Sequence, residues 1–174
     1  MTTQTSKTSP ELGKRRLLER LLEEYGGMLD RARRAMRAAQ GEANEHKGRA
    51  ESRYDTFREE AQYLAGGQAR RVQELEDITR ALQRFLSDNP NVDRCLDEAL
   101  PGGLVRVSDE SGTEHAYLVL PVGGGLVLDH GGGKVLVVNA GTPLGRALLS
   151  RRPGEEARFE VAGKTRVLRI LSVD

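Results

Sequence analysis

The residues best suited to chemistry are carboxylates that cluster near the middle of a long helix-forming stretch. Glu51 and Asp55 are among them, together with Glu42 and Glu45. Two carboxylates can complete the shell of Mg²⁺, a hard cation that takes oxygen ligands and is often held by only one or two protein carboxylates. Carboxylates on a slender helix are solvated by default. The chemistry therefore requires a fold that delivers Glu51 and Asp55 to the cavity of a partner.

Arginines form the second group of candidate residues. Arg34 and Arg37 precede the acidic cluster, and Arg49 and Arg53 lie within it. Guanidinium groups bind phosphate oxygens through paired hydrogen bonds. We therefore predict that these arginines contact RNA or DNA inside a larger complex. The alternative is that they solubilise the outer face of a helix or pair with neighbouring acids.

Familiar enzyme motifs are absent from the sequence. It contains no phosphate-binding Gly-x-x-x-x-Gly-Lys-Ser/Thr, no Gly-x-Ser-x-Gly and no His-Glu-x-x-His. The glycine-rich segment Asp129–Lys134 joins two predicted strands and opens no helix, so it predicts a hairpin turn instead of a phosphate site. Cys95 is the single cysteine and lacks the neighbours of a zinc site. We predict no enzyme activity and no cofactor of the chain's own.

Two long helices have to position the candidate residues. Apolar residues recur there about every 3.5 positions, a spacing typical of a coiled coil. The series comprises Leu18, Leu22, Tyr25, Leu29, Ala32, Met36, Ala39 and Ala43, then Tyr54, Phe57, Ala61, Leu64, Leu75, Ile78, Leu82 and Phe85. The polar break between the two series predicts an antiparallel coiled-coil hairpin over residues 10–88, with its tip near 48–54. Residues 1–9 are expected to be a disordered tail, and Ser9-Pro10-Glu11 is expected to start the helix.

The sequence changes character after a connector at residues 89–103, where 92–99 could form a helical turn. Short apolar runs between glycine turns predict six strands over 104–174. These strands are 104–107, 115–120, 125–128, 134–138, 157–161 and 165–173. One short helix is predicted between the fourth and fifth strands, with Thr142 as its cap and Pro143 at its first position. The expected fold is α+β, a helical hairpin followed by a small β half-barrel.

Composition narrows the function classes. The 174 residues include 27 basic and 26 acidic side chains, so the net charge is +1. A general nucleic-acid binder would need a clear basic excess. No apolar run approaches the roughly 20 residues that span a bilayer, and the polar start is unlike a signal peptide. We expect a cytoplasmic protein, and a monomer because the apolar seam is satisfied within one chain.

A resemblance adds to these expectations. The segment Val137–Leu149 resembles the most recognisable segment of the Gre transcript-cleavage factors, and Tyr54 followed by Arg58-Glu59 is similar to the opening of that family's second helix. The resemblance implies a bacterial protein whose C-terminal domain has the fold of FK506-binding proteins. It also implies that this domain docks at the rim of the secondary channel of RNA polymerase, with the hairpin reaching down the channel.

The resemblance carries specific residues with it. Thr142, Pro143 and Leu144 match the segment that touches the polymerase rim, and Arg146 of the same helix is predicted to join them. Aligned on Tyr54, the family's two catalytic acids would stand at positions 47 and 50, which are lysine and alanine here. Glu51 and Asp55 are the nearest substitutes, and any Mg²⁺ would be shared with the polymerase active centre.

The predicted function is therefore regulation of elongation, pausing or initiation through the secondary channel of RNA polymerase, without an enzyme activity of the chain's own. One alternative is a true transcript-cleavage factor that stimulates hydrolysis of backtracked RNA. Another is a structural or chaperone-like coiled coil for an unrelated partner.

Overall fold

The computed structural model describes residues 13–45 and 54–174. The fold is α+β, with two long helices followed by a six-stranded sheet and one short helix. The elements are α1 (Lys14–Glu45), α2 (Tyr54–Asp88), β1 (Leu104–Ser108), β2 (Glu114–Leu120), β3 (Val127–His130), β4 (Gly133–Asn139), α3 (Pro143–Leu148), β5 (Glu156–Val161) and β6 (Lys164–Val173). They form two compact units. The helical unit comprises Leu21–Arg84, and the sheet unit combines the residues up to Arg20 with Phe85–Asp174.

In the helical unit, α1 and α2 each bury a stripe of apolar side chains. The buried residues are Leu21, Tyr25, Leu29 and Ala32 on α1, and Val72, Leu75 and Leu82 on α2. Most of these positions were predicted from the sequence. Leu22 is only partly buried, and its neighbour Leu21 is fully buried instead. An ion pair of 2.7 Å between Arg33 Nη2 and Glu76 Oε1 joins the two helices.

The predicted tail at residues 1–9 and the predicted helix start at Ser9-Pro10-Glu11 lie outside the described residues. Helix α1 is described from Lys14, and Gly13 before it is not helical. The cap comes from elsewhere in the chain, because Asp93 Oδ1 accepts a hydrogen bond from the backbone N–H of Arg15 at 2.9 Å. A β-carbon at position 13 would lie 2.9 Å from that same oxygen. The glycine thus lets a distant carboxylate satisfy one of the free amides of the first turn.

The helical turn predicted for residues 92–99 is also absent, and the segment consists of turns and bends. Its backbone groups have partners outside the segment. The amine of Lys14 donates to the Arg94 carbonyl at 2.7 Å, and the Ala99 N–H donates to the Arg151 carbonyl at 2.8 Å. These long-range hydrogen bonds replace the bonds that a local helix would have made.

All six predicted strands are present, the third of them two residues later than predicted, at Val127–His130. They form one sheet in the order β3-β4-β2-β1-β6-β5. Four neighbouring pairs are antiparallel, and β2 with β4 is parallel. The parallel register sets Leu120 beside Asn139, at the point where β4 ends. The Ala140 N–H then donates to the Leu120 carbonyl at 2.7 Å, which ties the start of the connection to α3 to the sheet.

The hydrophobic core of the sheet unit holds α3 in place. Its buried residues are Ala99, Val105, Val107, Val119, Leu148, Ala157, Leu168, Ile170 and Val173. Leu148 is the fully buried residue that α3 contributes to this core. Leu144, Ala147 and Leu149 are partly buried and pack against it. One side of this short helix is therefore anchored in the core, and the other side is exposed.

Candidate partner-binding site

The start of α3 brings together the four residues that the sequence predicts to bind a partner. Thr142, Pro143 and Arg146 are exposed, and Leu144 is partly buried against the core. All four lie within the cap and first turn of the helix. Three of them can therefore be touched freely by another protein, and Leu144 can be touched only through the exposed part of its side chain.

Thr142 caps α3, as predicted. Its backbone is extended (φ −76°, ψ 160°), and its Oγ1 accepts a hydrogen bond from the Gly145 N–H at 3.0 Å. The same hydroxyl donates to the Asn139 carbonyl at 2.7 Å. Pro143 occupies the first helical position, where its missing N–H costs nothing. Because the hydroxyl both donates and accepts a hydrogen bond, the orientation of the Thr142 side chain is set before any partner binds.

Asn139 braces the turn that leads into the helix, and sequence reasoning missed it. Its side-chain Oδ1 accepts from the Gly141 N–H at 2.7 Å, and its carbonyl accepts from the Thr142 N–H at 3.0 Å. An asparagine that bonds the backbone two residues ahead is typical of tight turns. The Asn-Ala-Gly-Thr order was the signal that could have identified it.

Gly145 allows α3 to lie against this turn. The residue is buried, and a β-carbon there would stand 2.1 Å from the Asn139 carbonyl oxygen. No side chain fits in that space. Sequence reasoning missed this position as well, because a glycine in a helix start carries no mark of what will pack against it.

Arg146 closes the turn from the helix side. Its Nη1 donates to the Gly141 carbonyl at 2.6 Å, while the guanidinium remains exposed. The segment from Asn139 to Arg146 is therefore held by hydrogen bonds within itself, and its residues Thr142, Pro143 and Arg146 are exposed to solvent. A turn that is held in one conformation and presents exposed groups is suited to binding another protein.

The predicted residues of the helical hairpin are only partly described. Arg34 and Arg37 lie on α1, where both are exposed, and neither forms an ion pair with a residue in the described ranges. Glu51, Arg49 and Arg53 lie outside the described residues, and Asp55 is in the first turn of α2. The predicted tip site thus stays a prediction.

The β1–β2 turn contains a polar cluster that the sequence did not reveal. Asp109 accepts hydrogen bonds from Ser111 Oγ at 2.6 Å, from the Thr113 N–H at 2.9 Å, and from His115 Nε2 at 3.1 Å when that nitrogen carries the proton. The serine hydroxyl, more than the histidine or the backbone, holds the pKa of Asp109 well below its usual range. Because Ser111 is bonded to the acid and not to His115, the order differs from that of a catalytic triad.

The histidine of this cluster stacks on Tyr117, with 6.3 Å between ring centroids. Burial raises the pKa of the Tyr117 hydroxyl, and the negative charge of Asp109 adds to the rise. An open cleft of about 440 Å³ adjoins the cluster and is lined in part by Phe159 and Arg166.

The described ranges contain neither a candidate metal site nor a helix that could span a membrane. No group of three or more His, Cys, Asp or Glu side chains within residues 13–45 and 54–174 could hold a metal ion. No helix in that part of the chain is long and apolar enough to cross a membrane.

Comparison with known proteins finds similarity only among solved structures. No family model matches the chain, and no curated protein matches it. Among solved structures it is similar to the transcription factor Gfh1, with 21% identity, coverage of 87% of this chain and 92% of that one, and a TM-score of 0.38. It is also similar to Gfh1 (GreA factor homolog 1) of Thermus thermophilus, with 18% identity and a TM-score of 0.35. That match covers 94% of this chain and 96% of the other chain.

A third solved structure is the transcription elongation factor GreA/GreB from Nitrosomonas europaea. It is 26% identical, with 41% of this chain and 55% of that chain covered and a TM-score of 0.30. With TM-scores this low, the likenesses do not establish a shared fold.

Proposed function

We propose that this protein regulates transcription by binding RNA polymerase through Thr142, Pro143, Leu144 and Arg146. The sheet unit is then an FKBP-like half-barrel docked at the rim of the secondary channel. Helices α1 and α2 form an antiparallel coiled-coil hairpin that enters the channel and modulates elongation, pausing or initiation. The protein acts as a cytoplasmic monomer.

The observation that carries this proposal is the geometry of the α3 start. Its sequence resembles the rim-binding segment of the Gre factors, and its exposed residues are held by Asn139 and Gly145 in one conformation. A preorganised loop loses little conformational entropy on binding, so more of the contact energy appears as affinity. An exposed proline on such a loop is an effective contact because it has few conformations to lose.

The helical hairpin supplies the second half of the proposal. Arg34 and Arg37 are exposed and carry no ion pair within the described ranges, so they are free to contact nucleic-acid phosphates in the transcription complex, together with Arg49 and Arg53. Glu51 and Asp55 approach the active centre, where the Mg²⁺ belongs to the polymerase. The chain needs no cofactor of its own for this role.

The test of docking is the variant Pro143→Asp. A carboxylate placed in an apolar contact loses hydration without gaining a partner, and we expect the Kd for core RNA polymerase to rise about tenfold or more, which corresponds to about 1.4 kcal/mol. Binding is measured with purified polymerase by biolayer interferometry. The matched control is Pro101→Asp, which changes another exposed proline, in the connector.

Both variants should unfold at nearly the same temperature as the wild type, because both prolines are exposed. Docking through the α3 start is refuted if Pro143→Asp binds as tightly as Pro101→Asp. The whole proposal is refuted if the wild-type protein does not bind polymerase.

A further inference from the structure

The segment that contains α3 has an unusual charge distribution. From Asn139 to Pro153 it carries three arginines, Arg146, Arg151 and Arg152, and no acidic residue. All three side chains are exposed. Arg152 approaches Glu98 at 3.6 Å, so its charge is partly compensated. Arg146 and Arg151 form no ion pair with any residue in the described part of the chain.

The two uncompensated arginines are nevertheless fixed in place. Arg146 Nη1 donates to the Gly141 carbonyl at 2.6 Å, and Arg151 Nε donates to the Ala147 carbonyl at 3.3 Å. A carbonyl oxygen orients a guanidinium but carries no net charge to neutralise it. Each arginine therefore keeps its full positive charge, and its other N–H groups remain available for a carboxylate.

Their positions relative to Pro143 follow from the helix. Arg146 comes three residues after Pro143, so the two side chains lie on the same side of α3. Arg151 bonds to Ala147, the residue next to Arg146, and extends the positive charge toward the end of the helix. The buried residues Gly145 and Leu148 lie toward the core. We call the surface of Pro143, Arg146 and Arg151 the α3 stripe.

We infer that the α3 stripe binds carboxylates on a protein surface, arranged around the apolar spot that receives Pro143. This inference rests on the proposed function, under which that protein is RNA polymerase. Guanidinium groups match carboxylates in shape and charge and are favoured at protein interfaces. Two charges beside an apolar side chain suit a protein better than a nucleic acid, which requires many phosphate contacts and a basic excess.

Exposed charges at the edge of a contact act mainly on association. They attract the partner before contact, so their removal lowers kon and weakens its salt dependence, while koff changes less. Within the α3 stripe, Arg146 and Arg151 thus supply the rate and orientation of docking, and Pro143 supplies the apolar contact.

The experiment measures kon and koff for core polymerase at low and high salt with the double variant Arg146→Gln/Arg151→Gln. We expect kon at low salt to fall about five- to tenfold, with the difference from wild type vanishing at high salt. The matched control is Arg106→Gln/Arg169→Gln, which removes the same charge from exposed arginines on β1 and β6 that form no ion pair with a described residue. This control should leave kon within about twofold of wild type.

A second variant separates charge from loop geometry. Arg146→Lys/Arg151→Lys keeps both charges and should restore most of the salt dependence, which a purely structural role of the arginines would not predict. The inference is overturned if wild type binds polymerase and the stripe and control variants have the same salt dependence, an outcome that leaves the proposed function intact. It is also overturned if the stripe variant loses affinity for free RNA or DNA but not for polymerase. Absence of wild-type binding overturns both.

Discussion

At position 145 the chain has room for a hydrogen atom and nothing larger. A β-carbon would lie 2.1 Å from the Asn139 carbonyl oxygen, a separation that no relaxation of a flexible side chain can relieve because the obstacle is backbone. We predict that Gly145→Ala destabilises the fold by about 1–3 kcal/mol through overpacking. Chemical denaturation measures the change.

The control for this variant is Gly66→Ala in α2. That glycine is exposed in a helix, and nothing lies within 4 Å of where its β-carbon would be. The same substitution should therefore stabilise the protein by up to about 1 kcal/mol, because alanine is the better helix former. Equal effects of the two substitutions would contradict the close approach at Gly145.

Asp109 makes stability depend on pH. Hydrogen bonds from Ser111, then His115 and Thr113, favour its ionised form in the folded state and lower its pKa from the ordinary value of 3.8. The unfolded chain keeps that ordinary value. The contribution of Asp109 is therefore fully present above about pH 4 and is lost progressively as the pH falls toward the folded-state pKa.

We predict that Asp109→Asn flattens the acid limb of the stability curve. Unfolding free energies measured by denaturant titration from neutral to acid pH should fall less steeply below about pH 4 than in wild type. Glu110→Gln is the control, since this neighbouring acid accepts no hydrogen bond from a described residue. Identical acid limbs for wild type and Asp109→Asn would show that the cluster is not formed in solution.

At the scale of elements, α1 owes its beginning to a residue almost eighty positions away. Asp93 Oδ1 accepts from the Arg15 N–H, as a local cap would do. We predict that Asp93→Ala destabilises the protein by about 1 kcal/mol, the ordinary cost of a lost N-cap. Thermal unfolding monitored by circular dichroism reports the change.

Asp97→Ala provides the comparison for the cap, because Asp97 is an exposed acid of the same connector without a hydrogen bond to a described residue. It should unfold like wild type. If the two alanine variants are equally stable, Asp93 does not cap the helix.

On the scale of the whole molecule, we propose that the sheet unit binds RNA polymerase and that the helical unit modulates transcription. We predict that Glu51→Ala/Asp55→Ala binds polymerase like wild type but loses the effect on pausing, since the acids lie far along the chain from the α3 start. Because lysine and alanine stand at positions 47 and 50, where the Gre factors that this sequence resembles have their two acids, we expect the wild-type protein to leave the 3′ end of stalled transcripts intact.

Stalled elongation complexes with labelled RNA provide the measurement for the tip. Pausing and transcript length are read from the same gel, with Lys134→Ala, an exposed lysine of β4, as the control. Shortening of the RNA by wild type, lost in Glu51→Ala/Asp55→Ala, would establish the alternative of a transcript-cleavage factor. An unchanged pausing pattern in the tip variant would refute the role of these acids.

The sequence by itself determined the features that depend on near neighbours along the chain. The apolar stripe of α1, the six strands and the Thr142-Pro143 helix start all follow from periodicity or from backbone preferences within a few residues. The assignment of Thr142, Pro143 and Arg146 to partner binding came instead from the resemblance to the Gre factors and stays a prediction.

Only the tertiary structure decided the features in which distant residues meet. The Asp93 cap, the lost connector helix, the parallel pairing of β2 with β4 and the approach of Gly145 to Asn139 each join segments whose proximity no local pattern encodes. Long-range hydrogen bonds and close packing overrode weak local preferences there. Asn139 and Gly145, which shape the candidate site, therefore depend on tertiary contacts that the local sequence does not encode.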